Sequence, residues 1–293
     1  MTEVKETFGI PVATEVATPE HVKAALKAGI DYLWIGARTS ANPIAVQEIA
    51  EAIDRFATSP LHSKIADTYK IKAVLIKNPV NADAALWLGN IERLEKTGIP
   101  VMAVHRGCNH QPCWKMAHQV RLARPDIPIL LDPSHMSGDA AQVPTLMAKI
   151  EELGLNGAMV EVHCCPETAL SDKNQQITPT QLAHTLDSIV SRFCLVSLNC
   201  PSKEQEELNW LRAEIDELDD RLWATIAARM DVSKRIGEWK KAHGVAPLQP
   251  ERYQQIVDRL REKGEKLKDE DISVEFMLHV WELIHEESLR KQH

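Results

Sequence analysis

Six short apolar runs, rich in β-branched residues, punctuate the first two thirds of the sequence, at 10–17, 32–37, 71–76, 99–105, 127–132 and 157–163. None alternates strictly between apolar and polar, as expected of strands buried on both faces. Between them lie stretches with apolar residues three and four apart: PEHVKAALKAG, PIAVQEIAEAIDRFA, NADAALWLGNIERLEKTG, VPTLMAKIEELG and TPTQLAHTLDSIVSRF. Several close on glycine, a usual helix C-cap. Strand–helix alternation on this spacing predicts a parallel α/β fold. Polar and charged residues follow the strands, which is where a (β/α)8 barrel keeps its active site. The expected fold class is therefore α/β, a TIM-type barrel, incomplete because six of the eight strands are legible.

From Lys203 the pattern changes. No glycine occurs before Gly237 and no proline before Pro247, while Leu208, Leu211, Ile215, Leu218, Leu222 and Ile226 recur at steps of three and four. A helix of about 40 residues is ~60 Å long, so it must bury its stripe against another subunit or against helices that fold back. Two more helices are expected, over 250–264 and 272–291. This predicts an all-α domain that forms an intertwined homodimer. The expected boundaries are a barrel over 1–198, a linker over 199–207 (NCPSKEQEE) and a helical domain over 208–293.

Composition narrows the partners. The 293 residues suffice for two cores. A net charge of -8 disfavours nucleic acid. No apolar run approaches the roughly 18 residues needed to span a bilayer, and the start, MTEVKETFGIP, lacks the apolar core of a signal peptide. A cytoplasmic location without membrane attachment is expected. There Cys108, Cys113, Cys164, Cys165, Cys194 and Cys200 are expected to be reduced.

Chemistry gathers behind the strands. His135, Glu161 and Asp172 follow consecutive runs in IPILLDPSH, GAMVEVH and ETALSD. An imidazole and two carboxylates at one end of a parallel sheet suit a divalent metal. Arg38, Lys77, His105 and Arg106 also follow strands, forming a cationic cluster suited to a phosphorylated, carboxylated substrate. The strings LWIGARTSANP, KNPVNADAALW, VHRG, LDPSHMSG and MVEVHCCPETALSDKNQQIT resemble 3-deoxy-D-arabino-heptulosonate 7-phosphate (DAHP) synthase of the shorter, metal-dependent type. The resemblance implies that His135, Glu161 and Asp172 hold the metal together with a cysteine, and that Arg38, Lys77 and Arg106 hold phosphoenolpyruvate. The implied reaction is its condensation with erythrose 4-phosphate. Mn, Fe, Co and Zn all fit such a site. The family's GPCS strand, which carries the cysteine, and its KPRT-type loop do not occur here. The expectation is an N-terminally truncated barrel with synthase activity absent or very weak.

Arg229 falls on the heptad line of Leu208, Ile215 and Leu222, and Lys240 lies 11 residues on, about 20° from it at 100° per residue. Both face one groove. Arg212 points about 100° away, suited to a neighbouring subunit's pocket. Arg252 opens the next helix, and Ser288 and Gln292 share a face of the last. Arginines, a lysine and neutral hydrogen-bonding groups suit a small dianion. LRAEIDELDDRL, AARMDVSKRIGEWKK, PERYQQIVDRL and IHEESLRKQ resemble chorismate mutase of the all-helical class. The resemblance implies that Arg212 from the partner, Arg229 and Arg252 bind two carboxylates of chorismate. Lys240 and Gln292 then address the ether oxygen, Ser288 completes the pocket, and no cofactor is used. Where many members carry an acid, this chain has Tyr253. Together the resemblances imply a bifunctional enzyme of aromatic amino acid biosynthesis, the shikimate pathway. The alternatives are a chorismate mutase with an inactive barrel remnant, or a non-catalytic dimerisation module that binds chorismate or prephenate.

Overall fold

A computed structural model describes residues 2–57, 71–196, 203–246, 248–266 and 272–292. The chain forms two compact units, Met1–Glu217 and Leu218–His293. No described helix is long and apolar enough to cross a membrane. Residues 199–202 of the expected linker lie outside the described residues, and a helix begins at Lys203.

In the first unit a short helix α1 (Thr2–Phe8) precedes β1 (Ala13–Glu15), α2 (Pro19–Lys27), β2 (Tyr32–Ile35), α3 (Ala37–Ser40) and α4 (Pro43–Ala57). There follow β3 (Ala73–Lys77), α5 (Ala84–Glu95), β4 (Val101–His105), α6 (Trp114–Ala123), β5 (Ile129–Leu131) and α7 (Pro133–Ser137). The unit continues through α8 (Val143–Glu152), β6 (Gly157–Ala158) and α9 (Pro179–Val196) into the long helix α10 (Lys203–Ala242). The six strands form one parallel sheet in sequence order, with registers such as Tyr32↔Ala73 and Leu75↔Met102. Every pairing is between successive βα units, which gives a half-barrel whose strand C-termini share one edge. Leu33, Ile35, Val74, Ile76, Ile129 and Leu131 are buried in its core, and β3 is buried along its whole length, as the non-alternating run requires.

Local chemistry starts the helices. Thr18 caps α2 by accepting from the His21 N–H, with Pro19 in the first turn. Asp83 caps α5 through Leu86, and Asp132 caps α7 through His135. Such caps satisfy amides that the helix leaves without partners. Two differences from the sequence pattern stand out. Helix α6 was not anticipated: WKMAHQVRLA lacks a capping side chain, and Cys113 enters it in a left-handed conformation at φ 51°. Strand β6 covers only the start of the 157–163 run. After the Met159 N–H donates to Leu131 O, the chain turns to pair Val162 with Ile177, which carries Glu161 off the sheet ladder.

The first half of α10 belongs to the barrel unit. Trp210 and Ala213 are buried, while Leu208, Leu211 and Ile215 stay exposed. Trp210 stacks on His118 at 5.5 Å and meets Trp114 edge-on at 6.1 Å. Glu214 pairs with His118 at 2.7 Å, and Glu217 accepts from the Trp114 amide at 2.8 Å. The second unit holds the rest of α10 with α11 (Pro250–Lys266) and α12 (Val274–Arg290). Ser273 caps α12 by accepting from the Phe276 N–H.

Candidate active sites

Donor atoms of His135, Glu161 and Asp172 all lie within 4.8 Å of one another, and among the described residues no cysteine joins the group. Each arrives by a different route. His135 sits in α7 directly after β5, Glu161 follows β6, and Asp172 occupies a left-handed turn at φ 52°. His135 Nε2 stands 3.4 Å from Glu161 Oε1. The Glu161 amide donates to Ser134 Oγ at 3.0 Å, and Gln175 donates to Glu161 Oε2 at 3.0 Å, so neighbouring polar groups hold the carboxylate in place.

Asp132 organises this cluster, and its role is absent from the expectations above. Its Oδ2 lies 3.0 Å from His135 Nδ1 and 2.7 Å from Lys77 Nζ, with the Lys77 and Asp132 side chains only 5% and 1% exposed. Burial opposes ionisation of Asp132, but the hydrogen bond from His135 and the charge of Lys77 outweigh it and hold the carboxyl below its ordinary value. An ionised Asp132 takes the Nδ1–H of His135 and leaves Nε2 as a lone pair facing the carboxylates, a tautomer suited to a metal. The DPSH string carries a usable signal: an aspartate that caps the helix bearing a candidate ligand.

Lys77 therefore meets Asp132, lies 3.5 Å from His135 Nδ1 and sits over the Trp34 ring at 4.8 Å. Arg38 is exposed on α3, and Arg106 is half-buried after β4 with its amide donating to Asn78 Oδ1 at 2.7 Å. Both stand at the C-terminal edge of the sheet. His105 corrects the expected cationic cluster. It is fully buried between Trp87 and Trp114. Burial, against smaller opposing effects of Pro112 and Asp132, pushes its basicity down to about 4. It is a neutral wall at pH 7, because burial costs a charged imidazole more than Pro112 and Asp132 return.

In the helical unit, Arg229 on α10 donates to Ser288 Oγ and, at 3.3 Å, to Ile284 O. Burial lowers its basicity from the ordinary arginine value. Lys240 donates to Gln292 Oε1 at 3.3 Å. Gly237 makes this approach possible: a Cβ there would stand 2.6 Å from Gln292 Cα. Four of the expected residues thus meet in two pairs, Arg229 with Ser288 on α12 and Lys240 with Gln292, which lies just past the end of α12 rather than on the helix as expected. Arg252 is exposed and bonds Gln255 at 3.4 Å. Arg212 is exposed in the barrel unit. Tyr253 packs on Trp281 and His285 at ring separations of 5.0 and 5.5 Å.

Known proteins bear on both units. The family model of the DAHP synthetase I family matches residues 1–192, and that of chorismate mutase type II matches residues 211–293. A 4-amino-4-deoxychorismate mutase of Streptomyces venezuelae is 36% identical over 87 residues, 30% of this chain and 82% of that protein. A chorismate mutase of Methanocaldococcus jannaschii is 34% identical over 89 residues, 30% of this chain and 88% of that protein. Among solved structures, a DAHP synthase of Thermotoga maritima superposes with a TM-score of 0.55 at 21% identity, covering 67% of this chain and 54% of that one. A truncated form of 3-deoxy-D-arabino-heptulosonate 7-phosphate synthase from the same organism gives 0.54 at 22% identity, covering 67% of this chain and 70% of that one. These two structural likenesses show the fold. This chain spans about half the length of the first of these structures.

Proposed function

Because the chain belongs to the DAHP synthetase I family and carries a chorismate mutase type II domain, we propose that its helical unit isomerises chorismate to prephenate. The carrying observation is the pairing of Arg229 with Ser288 on α12 and of Lys240 with Gln292 just past its end. The rearrangement is pericyclic and needs no nucleophile, acid or metal. The protein holds the reactive conformer and stabilises charge that develops on the ether oxygen as its bond breaks. Arg229 grips a carboxylate, and Lys240 with Gln292 faces the ether oxygen. Arg252 and a partner's Arg212 close the pocket in the homodimer. The exposed stripe of Leu208, Leu211, Ile215, Leu218 and Leu222, each 41–59% exposed, supports that dimer: one chain leaves this face uncovered.

The barrel unit is the DAHP synthase half of the same pathway. His135, Glu161 and Asp172 would hold a divalent metal, and two carboxylates with one imidazole suit Mn, Fe, Co or Zn. Such an ion supplies Lewis-acid polarisation of an aldehyde. Arg38, Lys77 and Arg106 neutralise the phosphate and carboxylate of phosphoenolpyruvate. Lys77 also keeps Asp132 ionised.

The test is chorismate turnover by the purified chain and by Lys240→Ala. The variant is expected to lose about 10²–10³ in kcat, the usual cost of removing one preorganised donor, with a modest change in KM. A wild-type chain that binds chorismate without converting it sinks the catalytic reading in favour of a binding module.

A further inference from the structure

One buried polar atom of the helical unit is left over by the pairings above. His285 Nε2, on α12, is enclosed and has no hydrogen-bond partner among the described residues. The ring is held from two sides. It stacks on Trp281 at 4.9 Å with an interplanar angle of 14°, and Tyr253 leans on it at 5.5 Å and 58°. Tyr253 also tilts against Trp281 at 5.0 Å, so the ring has little room to turn away. The preceding residue, Ile284, gives its carbonyl to Arg229, and Ser288 one turn on meets the same guanidinium. Burial, then the positive charges of Arg229 and Lys240, hold the imidazole below its ordinary basicity. A neutral histidine therefore stands among the groups that the mutase reading assigns to substrate.

An enclosed polar atom without a partner is unfavourable, and natural structures carry few of them. A ligand group that arrives to meet the atom removes that cost. The substrate offers few groups for the purpose. Its carboxylates go to the arginines and its ether oxygen to Lys240 and Gln292. What remains is the ring hydroxyl.

We propose that His285 is a specificity-determining residue of the mutase pocket, whose Nε2 meets the substrate's ring hydroxyl while Tyr253 and Trp281 hold the imidazole in place. This rests on the mutase reading. A hydroxyl both donates and accepts, so it satisfies either neutral tautomer of the imidazole. An ammonium at the same ring carbon only donates, and it enters a pocket that already holds Arg229 and Lys240 with no carboxylate at position 253. The site thus favours a hydroxyl-bearing ring over an ammonium-bearing one. That substituent also separates the substrates by which the relatives above are named.

The experiment compares kcat/KM of the full chain for chorismate and for an analogue lacking the ring hydroxyl, in the wild type, His285→Leu and His285→Gln. For chorismate, H285L is expected to lose about ten-fold, the value of one neutral hydrogen bond at 1.4 kcal/mol per decade. For the deoxy analogue the same variant stays within about two-fold of wild type, since no bond is there to lose. H285Q, which keeps a neutral hydrogen-bonding group, recovers most of the chorismate activity. Wild-type turnover of 4-amino-4-deoxychorismate should trail that of chorismate. Equal losses on chorismate and the deoxy analogue indicate packing alone and overturn the assignment, as does no loss on either. Failure of the wild-type chain to convert chorismate overturns the mutase reading itself and this assignment with it.

Discussion

Asp132 shows how one buried carboxylate can fill three roles. It caps α7, orients His135 and balances Lys77. Asp132→Asn keeps the shape and removes the charge. Metal affinity is expected to fall about 10–100-fold, the usual cost of losing such an outer partner of a ligand histidine, as read by competition with a chelator. Unchanged affinity would mean that His135 is oriented by something else. His105 gives a stability prediction. Unfolded, it titrates near 6.5; folded, burial pushes it to about 4. The unfolded chain therefore binds more protons between those values. Its contribution is whole above pH 6.5 and is lost as pH falls towards 4, with a slope of up to about 1.4 kcal/mol per pH unit. Denaturant midpoints measured across that window should fall with pH in the wild type and vary less in His105→Phe, whose ring suits a slot between two tryptophans.

Among the elements, α10 comes very close at Gly237 to the chain just past the end of α12, beside the pocket that the mutase reading assigns. Gly237 in mid-helix would normally cost about 1 kcal/mol against alanine, so Gly237→Ala ought to stabilise an isolated helix. Here the added methyl would meet Gln292 Cα at 2.6 Å. The helices must separate, and Gln292 moves away from Lys240. The expected result is a lower melting temperature together with a kcat loss of up to about 10²-fold, as small misplacements of catalytic groups produce. A stabilised variant with full activity would show that the approach is looser than described. The barrel elements illustrate what local pattern conveys. All six apolar runs contain strands, because short β-branched segments between caps and glycines have few other uses. Helix α6 is not legible in the pattern because its start has no capping side chain. The 157–163 run was legible as strand but not as one that leaves the sheet after Met159, since that departure depends on pairing with Ile177, far along the chain.

At the scale of the whole molecule, α10 divides its loyalties. Trp210 and Ala213 anchor its first half in the barrel unit, with Glu214 and Glu217 bonded to His118 and Trp114. The leucine stripe, which the periodicity marks as the buried face, is the exposed one. A second copy is the natural cover for it, by our proposal. Leu222→Asp is expected to shift the chain from dimer to monomer in sedimentation and to remove mutase activity with it, because in the proposed dimer Arg212 comes from the partner. A wild-type monomer with full turnover would refute the shared pocket.

The sequence alone determined the order of the six strands, most of the helices between them, the parallel sheet, and the spacing that sets Arg229 and Lys240 on one groove, since all of these follow from local periodicity. It also placed His135 and Glu161 behind successive strands, whereas Asp172, expected to follow a strand of its own, comes from a left-handed turn between two short 3-10 turns. Only the tertiary structure decided that these three donors converge, that Asp132 governs His135 and Lys77, that His105 is neutral, and which face of α10 the barrel takes. Each of those outcomes depends on burial and on partners distant in sequence, and neither is written in the pattern of neighbours along the chain.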